Sequence, residues 1–291
     1  MFQLTKDQIQ QYHDEGFLIL RGVVGEQTRR EVQTAFSRAV DQQAREWKAK
    51  GLIKETYPNL PFDKRYAALR EQFPATYSNS WRRILVSPEL FRVWQDPALI
   101  GIARSLLGDE LFASGIWNGR PRAPGQNKQT IDWHQDAHYV PGYQPGEGTV
   151  IGLWFPLVPV DERAGCLQVA RKSHLRGLRP SVKLVRNDLV GLADSELEGL
   201  EIVSCIMNPG DVLVFGELMF HRSVDNVSDY VRWSLDIRYF DARKKALVDR
   251  ENRKYSTLGI GQGFICHSAL NPSSVSTYEQ WASGFTHEGE F

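Results

Sequence analysis

The chain has 291 residues, of which 42% are hydrophobic and 24% are charged, as in an ordinary globular protein. Basic and acidic residues number 35 each, so no global positive field exists to attract nucleic acid or an anionic membrane. There is no apolar run near the ~20 residues that span a bilayer, no secretory signal, and only three scattered cysteines (Cys166, Cys205 and Cys266). We therefore expect a cytoplasmic protein with reduced thiols that binds neither nucleic acid nor membrane.

Residues 1–108 are predicted to be mainly helical. Thr5 and Gln8 have the spacing of a capping box, and Gly16 is placed to end the helix that follows. The apolar run Phe17–Leu20 then predicts a short buried strand.

Two further helices are predicted in this region. The first covers Glu26–Lys50, because apolar residues recur there at helical spacing. The second begins with the capping residue Ser87 and Pro88, and it is predicted to run to Leu107.

After Gly108 the pattern changes to short strands separated by turn residues, over residues 109–241. The predicted strands are Leu111–Trp117, Thr149–Leu157, Gly165–Ala170, Glu201–Met207, Val212–Phe215 and Val231–Phe240. Strands that follow helices indicate one mainly β domain of 291 residues, with a double-stranded β-helix (jelly-roll, cupin-like) core wrapped by the N-terminal helices. Residues 242–291 are interpreted as a C-terminal extension that forms a lid or a subunit contact.

A His-x-Asp motif is the strongest chemical signal in the sequence. On an extended strand, His134 and Asp136 would point to the same side. His221, 87 residues later, could supply a third ligand from another strand. Two imidazoles and one carboxylate are the ligands of non-haem Fe(II) oxygenases, which leave positions open for co-substrate and O2. The motif therefore predicts an Fe(II) site.

A cation and a hydroxyl group follow the third predicted ligand. Arg232 lies eleven positions after His221, and Ser223 lies two positions after it. Both could hold the distal carboxylate of an oxo-diacid that chelates the metal. The competing interpretation of Arg232 is a surface salt bridge with Asp236.

Other functions remain compatible with the same residues. Zn(II) also accepts two histidines and a carboxylate and could activate water in a hydrolase. A non-catalytic metal-binding module on the same barrel is a third possibility. Bulky aromatic residues around the motif favour a small, partly apolar substrate, and the basic run Arg171–Arg179 is either a solvated surface or a clamp for an anionic group.

Several segments in the same order resemble the phytanoyl-CoA dioxygenase family of Fe(II)/2-oxoglutarate oxygenases. They are Leu4-Thr5 with Gly16 to Gly22, Trp133-His134-Gln135-Asp136 with His138-Tyr139, Gly165-Cys166-Leu167 with Ser173-His174, and Pro209-Gly210-Asp211 with His221-Arg222-Ser223 and Arg232. The resemblance extends to about residue 241.

The resemblance implies a role for each matched residue. His134, Asp136 and His221 would bind iron, and Arg232 and Ser223 would hold the distal carboxylate of 2-oxoglutarate. Gln135 and Trp154 would lie near this co-substrate. The halogenating relatives replace the metal carboxylate, whereas this chain keeps Asp136, so the resemblance implies O2-dependent hydroxylation or another oxidation, namely desaturation, cyclisation or epimerisation. We expect a tailoring step in secondary metabolism.

Overall fold

The chain begins with a capped helix and a strand that follows it directly. The computed structural model describes residues 2–74, 81–125, 131–140, 142–144, 149–183, 190–258 and 261–285. Helix α1 spans Lys6–Glu15 and strand β1 spans Phe17–Leu20. Thr5 and Gln8 form the reciprocal capping box, and Gly16 ends α1 in the left-handed conformation with φ of 86°. Both predicted elements are confirmed.

Among the residues that the structure describes, five more helices lie between β1 and the next strand. They are α2 (Glu26–Ala49), α3 (Phe62–Gln72), α4 (Trp81–Leu85), α5 (Pro88–Val93) and α6 (Pro97–Leu107). Helix α2 matches its prediction and buries an apolar face that includes Val32, Phe36 and Val40. The short helices α3 and α4 were not predicted.

The prediction of one helix from Pro88 to Leu107 is wrong, because α5 and α6 are separate. Pro97 cannot continue a helix from the preceding turn, since it lacks an N–H and restricts the backbone of Asp96. The Asp96 carboxylate instead accepts hydrogen bonds from the backbone N–H groups of Ala98 and Leu99, at 2.8 and 3.2 Å. Asp96 is thus the N-cap of a new helix.

The strands form two larger antiparallel sheets and one small pair. They are β2 (Glu110–Ala113), β3 (Asn118–Arg122), β4 (Val150–Pro156), β5 (Leu167–Ala170), β6 (Val182–Lys183), β7 (Val190–Gly191), β8 (Ile202–Cys205), β9 (Val212–Gly216), β10 (His221–Ser223), β11 (Arg232–Asp241) and β12 (Phe264–Ser268). The seven-stranded sheet has the order β1-β9-β4-β11-β2-β12, and β3 pairs with the first half of β11. The three-stranded sheet has the order β10-β5-β8, and β6 pairs with β7. The molecule is therefore a mixed α/β fold built on antiparallel sheets.

Strand β11 separates the helical layer from the interior between the sheets. One face of this strand carries Trp233, whose ring centroid lies 5.0 Å from that of Phe36, 4.9 Å from that of Phe62 and 5.7 Å from that of Trp81. The alternate residues of β11 point to the opposite face. The helices thus fix the strand from one side and leave its other side for a site.

The C-terminal extension contributes to the core of the fold. Strand β12 pairs with β2 at the edge of the main sheet, after helix α7 (Lys245–Leu258). Helix α8 (Tyr278–Ala282) buries Trp281 5.4 Å from the ring centroid of Trp94. The described part of the extension is thus integral to the domain. Residues 259–260 and 286–291, which the predicted lid or subunit contact also includes, lie outside the described residues.

Within the described residues, no helix combines the length and the apolar character that a membrane crossing requires. The three cysteines are all buried, and none of them forms a disulfide.

The close approach of β3 to the helices gives a test of this packing. A Cβ atom on Gly119 would lie 2.3 Å from Cδ1 of Leu85 and 2.7 Å from Cζ of Phe36, both of which are fully buried. We expect Gly119→Ala to lower the free energy of unfolding by about 1–3 kcal/mol through overpacking, measured by urea denaturation. Gly25→Ala is the control, because no atom lies within 4 Å of its added Cβ. Equal effects of the two substitutions would contradict this account.

Candidate metal centre

Two of the predicted ligands are direct neighbours across a backbone pair. His134 and His221 form an isolated antiparallel bridge, in which each backbone N–H donates to the carbonyl of the other at 3.1 Å. Their ring centroids are 4.1 Å apart. The bridge continues the edge of the three-stranded sheet, because His221 is the first residue of β10.

Asp136 completes the group from a turn. The prediction of an extended strand for the His-x-Asp motif is wrong, since a single 3-10 turn begins at Asp136 and ends at His138. The turn brings Oδ1 of Asp136 to 3.9 Å from Nε2 of His134 and 3.8 Å from Nε2 of His221. One ligand atom from each residue lies within 4.8 Å of the others, and all three side chains are buried.

The hydrogen bonds of the two imidazoles define which nitrogen is available. Nδ1–H of His134 donates to the carbonyl of Asp132 at 2.7 Å, and Nδ1–H of His221 donates to the carbonyl of Met219 at 3.0 Å. Each Nε2 therefore presents a lone pair towards Asp136. Backbone carbonyls commonly fix metal-binding histidines in this way.

The charges of the three residues suit a cation. Burial lowers the pKa of His134 to about 3 and also lowers the pKa of His221, so both imidazoles are neutral at physiological pH. Burial alone would raise the pKa of Asp136, but the charge and hydrogen bonds of Arg238 outweigh it and hold this pKa far below its usual range. Two neutral nitrogen donors and one ionised carboxylate fit a divalent metal ion.

A cavity opens beside these residues, between the two larger sheets. It is lined by Arg120, Arg122, Ile131, His134, Trp154, Leu167, Phe215, His221, Ser223, Arg232, Asp236 and Arg238. The main sheet contributes residues from β3, β4, β9 and β11, and the smaller sheet contributes residues from β5 and β10. His134 and His221 therefore share one interior space with Arg232, Ser223 and Trp154. Asp136 lies beside this space, next to both histidines.

Arg232 lies deep in this cavity. Its side chain is 1% exposed, which excludes the interpretation as a surface salt bridge. The guanidinium lies 5.6 Å from the ring centroid of Trp154, and Nη1 donates to Oγ of Ser234 at 2.6 Å. Ser223 lines the same cavity, so the structure brings Arg232, Ser223 and Trp154 together around one space.

Gln135 has a different environment from the other predicted site residues. It does not line the described cavity, and its fully buried amide binds backbone groups instead. Nε2 donates to the carbonyls of Gly177 and Leu218 at 2.9 and 2.8 Å, and Oε1 accepts from the N–H of Arg179 at 2.8 Å. These bonds tie the metal-binding turn to two neighbouring loops.

Three arginines of the cavity were not identified from the sequence. Arg122 lies opposite Arg232 in the register of β3 and β11, and its Nη2 is 3.5 Å from Oγ of Ser223. Arg120 is two residues before it on the same strand, and Arg238 follows Arg232 by six positions on β11. An even number of positions separates Arg238 from Arg232 on β11, so the sequence could have indicated that both side chains lie on the same face of the strand. Strand β3 contains a glycine and a proline, which concealed its arginines.

The basic run Arg171–Arg179 does not form a clamp in the described structure. Arg171 pairs with Glu15 and Glu201, and Arg179 pairs with Glu196. Arg176 donates to backbone carbonyls. These contacts stabilise the loops on which the cations lie.

The contacts of Gln135 give a test of its role. Gln135→Leu should lower the free energy of unfolding by about 1–3 kcal/mol, because it leaves buried backbone groups without partners. The dissociation constant of 2-oxoglutarate should stay unchanged. Chemical denaturation and anaerobic co-substrate titration measure the two quantities, with the exposed Gln42→Leu as control. Weaker co-substrate binding at unchanged stability would instead place Gln135 beside the co-substrate.

Comparison with known proteins agrees with this geometry. The phytanoyl-CoA dioxygenase (PhyH) family matches residues 12–234. The chain is 30% identical to 1-deoxypentalenic acid 11-beta-hydroxylase of Streptomyces exfoliatus over 159 residues, which are 50% of this chain and 55% of that enzyme. It is 23% identical to the human peroxisomal phytanoyl-CoA dioxygenase over 275 residues, covering 90% of this chain and 77% of the human one.

Solved structures share the fold. The non-haem, α-ketoglutarate-dependent carbocyclase SnoK from nogalamycin biosynthesis superimposes with a TM-score of 0.57 at 22% identity, over 82% of this chain and 85% of SnoK. Apo EctD from S. alaskensis superimposes with a TM-score of 0.56 at 20% identity, over 83% of this chain and 78% of EctD. The family match spans most of the chain and includes the His-Asp-His group, and this protein therefore belongs to the phytanoyl-CoA dioxygenase family.

Proposed function

We propose that this protein is an Fe(II)- and 2-oxoglutarate-dependent dioxygenase that hydroxylates a C–H bond of a small, partly apolar metabolite. The observation that carries the proposal is the convergence of His134, Asp136 and His221 beside a cavity that also contains the buried Arg232. The family match supports the same activity. The products besides the hydroxylated metabolite are succinate and CO2.

The three ligands are assigned to Fe(II). Nε2 of His134, Nε2 of His221 and Oδ1 of Asp136 would bind on one face of the metal, leaving the remaining positions open. The alternative is a zinc hydrolase, which accepts the same ligands. A hydrolase has no need for a buried cation that holds a dicarboxylate, so the deep position of Arg232 favours the oxygenase.

The distal carboxylate of 2-oxoglutarate is assigned to Arg232 and Ser223. The guanidinium supplies a buried charge, and charge-assisted hydrogen bonds to a carboxylate are stronger than neutral ones. Arg122 is a further candidate, because it faces Ser223 and lies opposite Arg232. Trp154 packs against Arg232 and would limit the positions that the co-substrate can adopt.

The chain's residues would support catalysis by placement and by exclusion of water. When bound, iron and 2-oxoglutarate together supply the oxidation, in which the co-substrate is decarboxylated as one oxygen atom enters the substrate. His134 and His221 keep their ring orientations through backbone carbonyls. The apolar residues Leu167 and Phe215 shield the interior from bulk water, and a dry cavity strengthens the contacts of Arg232 with an anion.

We infer that the two larger sheets are the faces of a double-stranded β-helix. Both are antiparallel, and the residues that line the cavity come from both of them. Cores of this kind commonly enclose a ligand between their sheets.

The substrate class and setting follow from the relatives. A hydroxylase of 1-deoxypentalenic acid and an enzyme of nogalamycin biosynthesis lead us to propose a tailoring step in secondary metabolism. The buried, unpaired cysteines support a cytoplasmic location.

The metal assignment has a direct test. Asp136→Ala should remove most of the bound Fe(II) and all 2-oxoglutarate-dependent O2 consumption, because the site loses its only negative ligand. Metal analysis after anaerobic loading and an oxygen electrode measure the two effects. Asp14→Asn, on the exposed surface of α1, is the control. Full activity of Asp136→Ala would disprove the assignment.

The co-substrate assignment is tested by binding. Arg232→Ala should weaken 2-oxoglutarate binding by about 2–5 kcal/mol, as expected when one partner of a buried charge pair is removed. Anaerobic titration of the Fe(II) protein, followed by the visible metal-to-ligand charge-transfer band, measures this change. Arg222→Ala is the matched control, since Arg222 contacts Gln168 and Trp133 outside the cavity.

The same titration distinguishes the alternatives. An unchanged dissociation constant in Arg232→Ala would refute the role of this arginine. Tight Zn(II) binding by the wild-type protein, without a charge-transfer band from Fe(II) and 2-oxoglutarate, would favour the hydrolase.

A further inference from the structure

Arg238 holds both oxygens of the metal-binding carboxylate. Its Nε donates to Oδ2 of Asp136 at 2.8 Å, and its Nη2 donates to Oδ1 at 3.0 Å. The two residues are 102 positions apart in sequence, and both are buried. This two-pronged contact fixes the plane of the carboxylate as well as its position.

Arg238 is itself held from its other side. Its Nη1 donates to Oδ1 of Asp236 at 2.7 Å and to the carbonyl of Ile116 at 3.3 Å. Asp236 in turn accepts a hydrogen bond from Nδ2 of Asn118 at 3.0 Å. A guanidinium with partners on both sides has little freedom to rotate, so Asp236 makes Arg238 a rigid support.

Both oxygens of Asp136 accept a hydrogen bond from Arg238, but they differ in their distance from the histidines. Oδ1 faces Nε2 of both histidines at 3.9 and 3.8 Å. Oδ2 receives Nε–H of Arg238 and is directed towards β11. Only one of the two oxygens is therefore directed into the space between the imidazoles.

We propose that Arg238 is a positioning residue that keeps Asp136 a one-oxygen ligand of the metal. This inference rests on the proposed function. Two histidines and one carboxylate oxygen would leave room on an octahedral metal ion for 2-oxoglutarate and O2. A carboxylate that bound through both oxygens would take a fourth position and compete with the co-substrate.

A purely electrostatic role makes a different prediction. If Arg238 only neutralised Asp136 and Asp236, a lysine at this position would serve equally well. A lysine ammonium is a point charge and cannot support both oxygens of a carboxylate in one plane. Arg238→Lys therefore separates geometry from charge.

The experiment compares metal binding with co-substrate binding in the same protein. Co(II) titration measures the metal affinity and gives a d–d spectrum that reports the coordination number. Anaerobic titration of the Fe(II) protein with 2-oxoglutarate measures co-substrate affinity through the charge-transfer band. The variants are Arg238→Lys and Asp236→Asn, with Arg222→Lys as the matched control. Circular dichroism checks that each variant is folded.

We expect Arg238→Lys to retain Co(II) but to bind 2-oxoglutarate about 10- to 100-fold more weakly, a loss as large as that commonly found in metal affinity or activity when a residue that orients a metal ligand is replaced. The d–d spectrum before co-substrate addition should change in Arg238→Lys and stay as in the wild type in Arg222→Lys. Asp236→Asn should shift 2-oxoglutarate affinity in the same direction by a smaller factor. Asp236→Asn preserves the shape of the side chain, so it tests the positioning role of Arg238 if Arg238→Lys fails to fold.

Two outcomes would overturn the inference while leaving the proposed function intact. One is wild-type 2-oxoglutarate affinity in Arg238→Lys, which would show that charge alone suffices. The other is an equal loss of Co(II) and co-substrate binding with an unchanged d–d spectrum, which would indicate a general weakening of the site. Absence of the charge-transfer band from the wild-type protein would remove both the proposed function and the inference.

Discussion

Strand β11 is the constraint on which the rest of the site depends. Its side chains alternate between two buried environments, as the geometry of a strand requires. Trp233 faces the aromatic side chains of the helical layer, while Arg232, Asp236 and Arg238 face the cavity. A shift of one residue in its pairing would exchange these faces, burying the charges among aromatic rings. The pairing of β11 with β2, β3 and β4 fixes the register against such a shift.

The buried charges beside the cavity are stable because positive and negative side chains alternate along a series of contacts. Desolvation of an unpaired ion costs several kcal/mol, whereas close opposite charges and hydrogen bonds offset that cost. Asp136, Arg238 and Asp236 form a continuous series of contacts from the metal-binding turn to the main sheet. Among the described residues, four arginines and Asp236 line the cavity, and Asp136 contacts one of these arginines, Arg238. That balance suits a cavity that receives a dianion.

The orientations of the two metal-binding histidines are set by hydrogen bonds to backbone carbonyls. The proteins similar to this chain include a hydroxylase by sequence, and a carbocyclase and an epimerase by fold, according to their names. The histidines are fixed by backbone contacts, which depend little on the side chains that surround a substrate.

The sequence by itself determined the elements and residues whose signals are local. The capping box at Thr5, the helix from Glu26 and the spacing of His134, Asp136 and His221 could all be recognised without coordinates. Arg232 and Ser223 were recognised from their positions after His221, and the resemblance to a family added Gln135 and Trp154. The structure places Arg232, Ser223 and Trp154 in the same cavity as His134 and His221. Each of these signals lies within a few residues or in an ordered series of motifs.

Only the tertiary structure decided the features that depend on contacts between distant residues. Arg238 reaches Asp136 across 102 positions, and Arg122 becomes a neighbour of Arg232 only because β3, with its glycine and proline, pairs with β11. Gln135 is directed to backbone groups more than 40 positions away. The periodicity of apolar and polar residues in the sequence indicates which face of a strand or helix a side chain occupies. It does not indicate which residue on another strand that side chain contacts, because the pairing of strands is set by the packing of the whole sheet.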